Sequence, residues 1–153
     1  IWTGKIYLNK LDITNALIQN KKIGYMLQDY FLFPHFNVKN NLIFSLPKQI
    51  RNKQEQALDY LKKINMVEFS DHYPSELSGG QKARIACLRA IISNPNALLL
   101  DEPFSSLDKK TMKSFQKFLF DYVKKLNIPC IIVSHRLVKN LNYSIELNIT
   151  KYA

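Results

Sequence analysis

Apolar and polar residues alternate over Gly4-Lys5-Ile6-Tyr7-Leu8-Asn9 in the two-residue period of a strand, which then enters a polar loop around Asp12 to Asn20. A second short strand is predicted over Lys22 to Leu27, delivering Gln28 and Asp29 at its end. The run Tyr30 to Phe36 is unusually aromatic for a loop, and Pro34 argues against a regular central strand, so it reads as core or as a docking surface. Asn37 is placed to cap a short helix through Phe44, with Pro47 beyond it. Helical spacing of Leu58, Leu61 and Ile64 predicts a polar-rich helix over Asn52 to Ile64. After a loop from Ser70 to Glu76 comes a helix opening at Gly79-Gly80, with Ile85, Leu88 and Ile92 on one face and Asn94-Pro95-Asn96 as its stop. The continuous apolar run Ala97 to Leu100 predicts a parallel strand buried on both faces, ending in Asp101-Glu102-Pro103. A helix from about Lys109 to Leu126, with Met112, Phe115, Leu119, Tyr122 and Leu126 on one side, leads to a second such strand, Cys130 to Val133, ending in Ser134-His135. Strand, helix, strand is a βαβ unit, so the fold class is α/β with a parallel sheet.

Composition narrows the function classes. The chain has 153 residues, 46% hydrophobic, enough for one domain with a core, and it begins at Ile1 rather than Met. No stretch approaches the roughly 20 apolar residues needed to span a bilayer, and nothing at the start resembles a signal peptide. The expected place is therefore the cytoplasm, or a membrane reached through a partner. Cys87 and Cys130 lie in apolar runs without metal-ligand spacing, which predicts buried free thiols. The net charge of +10 invites a nucleic-acid reading. The lysines, however, are scattered singly or in pairs such as Lys21-Lys22 and Lys62-Lys63, as on a solvated surface, so nucleic acid is not an expected partner.

Candidate chemistry gathers at a few points. Leu77-Ser78-Gly79-Gly80-Gln81 has the grammar of a helix N-terminus, where a hydroxyl cap, uncovered glycine amides and the helix dipole suit an anion. Ser-Gly-Gly alone also occurs in plain loops. In parallel sheets function gathers at the carboxyl ends of strands, and here three end in polar residues: Gln28, the Asp101-Glu102 pair and His135. An Asp straight after a buried strand suits magnesium, and an adjacent Glu can act on a water. A helix cap at the strand-loop junction is the structural alternative for that pair. A lone His is more often structural, and His35 and His72 are read that way. Gly4-Lys5 is not the end of a phosphate-binding loop, because Ile6 follows where Ser or Thr is needed.

In order along the chain, Gln28, Leu77 to Gln81, Leu98 to Pro103, Ser106-Leu107-Asp108 and Val133-Ser134-His135 resemble the Q-loop, LSGGQ signature, Walker B motif, D-loop and H-loop of the nucleotide-binding domain of an ABC transporter. The resemblance implies an ATPase working with magnesium as a head-to-tail pair with a second such domain. Ser78, Gly79, Gly80 and Gln81 would then touch the γ-phosphate of ATP held by the partner domain. Asp101 would serve magnesium, Glu102 would be the catalytic base, and His135 would contact the γ-phosphate and orient the water. Gln28 would sense magnesium and nucleotide, and Asp108 would reach across the dimer. The segment Leu32 to Val38 followed by Asn41-Leu42 resembles the surface of bacterial importers that receives the membrane subunit, which places permease contacts near residues 28–41 and the protein peripherally on the cytoplasmic face of the inner membrane. Among importers, the run through Leu46 most resembles molybdate-type ATP-binding subunits, with other oxyanion and iron importers close behind.

The resemblance implies a single partial domain over 1–153: a helical signature part at about 37–93, a sheet core from 1–36 and 94–142, and an unassigned tail at 143–153. The family's P-loop and adenine-stacking aromatic would lie before Ile1, which predicts missing N-terminal sequence of roughly 40 residues and little ATP turnover by the chain alone. Arg136 to Asn140 lacks the acidic residues usual after the H-loop. The rival reading is a soluble ABC-type ATPase acting on nucleic acid or ribosomes. Only about 50 residues without sustained heptads separate Gln28 from the signature, which disfavours the chromosome-maintenance form of that rival. A third reading is a non-catalytic module that only lends its signature to a complete partner.

Overall fold

The structure, a computed structural model, describes residues 3–135. The readings of residues 136–140 and of the tail 143–153 lie outside the described residues.

The N-terminal strand is shorter than its alternation predicts. β1 (Tyr7–Leu8) pairs antiparallel with β2 (Leu11–Asp12) in a separate two-stranded sheet. The segment read as a polar loop thus contributes Asp12 to a strand and then forms a one-turn helix, α1 (Ile18–Lys21). Two residues in the left-handed region, Asn9 and Lys10, turn the chain between β1 and β2, a conformation for which asparagine is several-fold enriched.

The main sheet has three parallel strands in the order β3 (Ile23–Met26), β4 (Ala97–Asp101), β5 (Cys130–Val133). Its register sets Gly24 beside Leu98, Met26 beside Leu100, and Leu100 beside Ile132. Helices α2 (Val38–Ser45), α3 (Lys53–Lys63) and α4 (Gly79–Ile92) come between β3 and β4, and α5 (Lys109–Leu126) joins β4 to β5. Their starts follow local chemistry. The Asn37 side chain accepts from the Asn40 amide, Ser78 caps α4, and the Asp108 carboxylate accepts from the amides of Lys110 and Thr111. α5 ends on Asn127 in the left-handed conformation, the usual solution for a C-terminus without glycine.

α4 is the centre of the core. Its sequence predicts one apolar face, yet eight of its fourteen residues are buried, because it packs on α2, β3 and β4 at once. The contact with β3 is close enough to require Gly24, where an added Cβ would lie 2.5 Å from the Ala90 carbonyl oxygen. The sheet is not covered on both faces among the described residues. α4 covers the face of Gly24 and Leu98, while on the other face Tyr25, Ile131 and Val133 remain exposed. β5 therefore alternates between half-buried and exposed instead of being buried throughout.

Candidate functional site

Parallel strands leave their sheet at one end, so the register brings Gln28, Asp101-Glu102 and Ser134-His135 to a common edge. Glu102 is the buried member of this group, 7% exposed, and its backbone is in the left-handed region at φ 49°. Such a conformation is held only where the surroundings fix it. Here the Glu102 amide donates to the Val133 carbonyl at 2.9 Å, and its own carbonyl accepts from the Ser105 amide and hydroxyl at 3.3 and 3.0 Å. The carboxylate accepts from the His135 amide at 2.5 Å and from the Ser134 hydroxyl at 3.5 Å. Backbone and hydroxyl donors thus stabilise a charge that burial alone would penalise.

His135 stands beside this carboxylate at the surface. Its Nε2 lies 3.9 Å from the Glu102 carboxylate, but its side chain is 96% exposed. Asp101, at the end of β4, is half-exposed, and Gln28 is exposed; neither side chain has a hydrogen-bond partner among the described residues. One available carboxylate beside one amide is a donor set for magnesium held largely by phosphate oxygens and water. Among the described residues no group of three or more acidic, His or Cys side chains could form a cage of its own.

The second half of the site is the start of α4. Ser78 and Gln81 form a reciprocal capping box: the Gln81 amide donates to the Ser78 hydroxyl at 3.3 Å, and the Ser78 amide donates to the Gln81 side-chain oxygen at 2.7 Å. Each side-chain oxygen is thereby engaged with the other residue's backbone amide. The amides of Gly79 and Gly80, in the first turn, have no intrahelical acceptor and are the donors left for an anion. Gly80 is required sterically, since a Cβ there would sit 2.6 Å from the Ser106 carbonyl oxygen and 3.1 Å from a Leu107 methyl. The segment leading to Asp108 therefore rests directly on the two glycines. Hydrogen bonds from Thr111, side chain first and then backbone, hold the Asp108 carboxyl below its ordinary value, keeping it charged at the start of α5. No hydrogen bond joins the residues from Ser78 to Gln81 with Gln28, Asp101 or Glu102.

Three further residues organise these parts. Asn41, fully buried, donates to the carbonyls of Phe33, Phe36 and Asn37 at 3.0 to 3.1 Å and accepts from the Phe33 amide at 2.9 Å. It fixes the aromatic loop to α2. Arg89 of α4 lies over the Phe33 ring, 4.9 Å from its centroid. Tyr30 shares a 2.8 Å hydrogen bond with the Ser106 hydroxyl. The sequence signal for Asn41 was an amide sitting in the apolar stripe of Val38 and Leu42; Tyr30 and Ser106, 76 residues apart, carry no such signal. The aromatic run is both core and surface: Tyr30 and Leu32 pack on the core, while Phe31 and Phe44 are exposed and Phe44 stacks edge-on with Phe33 at 4.8 Å. Both cysteines are free, and burial pushes the Cys130 thiol up to about 11, so neither supplies a thiolate at neutral pH.

Comparison with known proteins gives these parts a family. Residues 2–105 match the family model described as ABC transporter. A probable sulfate/thiosulfate import ATP-binding protein CysA of Chlorella vulgaris is 38% identical over 136 residues, covering 87% of this chain and 58% of that protein. A sulfate/thiosulfate import ATP-binding protein CysA of Neisseria meningitidis serogroup A is 38% identical over 154 residues, covering 94% of this chain and 42% of that protein. Among solved structures, the ATP-binding cassette MJ0796, a dimer in a post-hydrolysis state bound to ADP and Pi, matches with a TM-score of 0.75 and 28% identity over 88% of this chain and 63% of that one. The chain thus spans between 42% and 63% of the length of these relatives. With its α/β fold, its parallel sheet and the match to the family model, the chain belongs to the ABC transporter family.

Proposed function

We propose that this chain is part of the ATP-binding and ATP-hydrolysing subunit of an importer, working as a pair with a second ATP-binding domain. The observation that carries the reading is the pairing of a tethered, buried carboxylate at Glu102 with a glycine-opened helix start at Gly79-Gly80 that presents free amides. In this reading residues of about 37–93 form the signature-bearing helical part, and the described residues of 1–36 and 94–142 the sheet core.

Glu102 accepts the proton of the attacking water. The Ser134 hydroxyl and the His135 amide keep its carboxylate aimed until then. The exposed His135 ring is free to turn onto the γ-phosphate and orient the water. Gln28 and Asp101 would hold magnesium, which would supply positive charge against the phosphate oxygens. The amides of Gly79 and Gly80, with Ser78 and Gln81 around them, close on the γ-phosphate of ATP held by the partner domain, and Asp108 reaches across the pair. The lack of any hydrogen bond between the α4 start and Glu102 within this chain supports such a split arrangement.

The exposed rings of Phe31 and Phe44, the latter against the half-buried Phe33 and Phe36, receive a membrane permease near residues 28–41. No described helix is long and apolar enough to cross a membrane, which suits peripheral attachment at the cytoplasmic face. For the cargo, the named relatives import sulfate or thiosulfate, and we favour an oxyanion of that class over molybdate, to which no reported relative points. No observation favours action on nucleic acid or ribosomes. Uptake of labelled sulfate by cells carrying Glu102→Gln as their sole copy tests the reading: loss of uptake is expected, and undiminished uptake would contradict it.

A further inference from the structure

The loop after Gln28 takes an unusual path. Tyr30 and Phe31 stand one after the other in the left-handed region, at φ 62° and 38°, although neither is a residue that enters it readily. Local hydrogen bonds, from the Tyr30 amide to Leu27 and from the Phe31 amide to Asp29, bend the chain, but they do not reach beyond the loop. Tyr30 packs on the core and, through the 2.8 Å bond between its hydroxyl and that of Ser106, reaches the segment after β4. Ser106 is also the residue on which the signature glycines rest: its carbonyl oxygen would meet a Cβ on Gly80 at 2.6 Å, and its hydroxyl a Cβ on Gly79 at 3.5 Å. In the other direction Tyr30 runs into Phe33, which Arg89 and Asn41 fix to α4 and α2.

Resting on the ATPase reading above, we propose that the Tyr30–Ser106 hydroxyl pair is a positioning contact that couples the Gln28 loop to the Gly79-Gly80 helix start. A partner bearing on the aromatic loop and a phosphate approaching the glycines then bias the same element. Neither residue need touch the nucleotide.

Tyr30→Phe and Ser106→Ala each remove one hydroxyl and little else, so both proteins should fold. Amide hydrogen exchange of the purified protein without nucleotide reads the coupling directly. Tyr30→Phe is expected to speed exchange about three- to tenfold over 104–108 and 78–82, and Ser106→Ala to do so over 28–33, as befits loss of one solvent-adjacent hydrogen bond. Effects confined to each variant's own segment would overturn the proposal. In the assembled transporter both variants should lower kcat for ATP with KM unchanged to within about twofold, the mark of a lost transition-state arrangement; a rise in KM without a fall in kcat would equally overturn it. A wild-type transporter without ATP turnover would count against the ATPase reading, while the exchange measurement, made without nucleotide, would still decide the coupling.

Discussion

A single methyl added at Gly80 would place a carbon 2.6 Å from the Ser106 carbonyl oxygen, and backbone, unlike the tip of a long side chain, cannot step aside without moving its neighbours. Gly80→Ala is therefore expected to cost about 1–3 kcal/mol, read as a lowered urea midpoint, by the ordinary penalty for overpacking. An undisturbed midpoint would mean that the Ser106 segment does not rest on the helix start. Glu102 follows a different logic at the same scale. Its strained backbone is tolerated because its amide, its carbonyl and its carboxylate are all engaged, with β5, with Ser105 and with the Ser134-His135 step. The residue is aimed by the end of β5 and by Ser105.

Helix starts are where element and site meet in this chain. Asp108 opens α5 with two backbone amides on one carboxylate oxygen, and its carboxyl is held below 3.8. Because the folded value is depressed, the stabilisation is full above the unfolded value and is lost as pH falls through the folded one. The thermal midpoint of the wild type should exceed that of Asp108→Asn at neutral pH, and the gap should close in acid below pH 3.8. α2 gives a complementary expectation. Phe44 is 64% exposed although it stacks on Phe33 and Phe36, so Phe44→Ala should cost no more than about 1 kcal/mol in stability. It should nonetheless weaken co-purification with the membrane subunits; full association would remove Phe44 from the docking surface. The elements themselves were largely legible, because Asn37 and Ser78 announce their helices and Ala97 to Leu100 announces its strand. What was not legible depended on tertiary placement. The apolar run of β5 gave no hint that Ile131 and Val133 stay exposed, and α4 looked one-sided until three neighbours closed around it. Likewise the five motifs could be named from their order, but not the Asn41 clamp or the Tyr30–Ser106 bond that connects them in space.

At the scale of the whole molecule, the chain divides its chemistry between two places. One is the sheet edge with Gln28, Asp101 and Glu102; the other is the start of α4, backed by Ser106 and flanked by Asp108. Core packing holds both rigidly, with α4 common to the sheet and the helical part. Such division suits a reaction performed between two domains, where positioning and electrostatics supply most of the rate. In the proposed function Glu102 is the group that takes the proton. The most direct test is ATP turnover by the assembled transporter carrying Glu102→Gln, which keeps the size of the side chain and most of its hydrogen-bonding capacity. A fall in kcat of about a hundred- to ten-thousandfold, with nucleotide affinity retained, is the expected result for removal of a general base. Turnover within a few-fold of the wild type would contradict it.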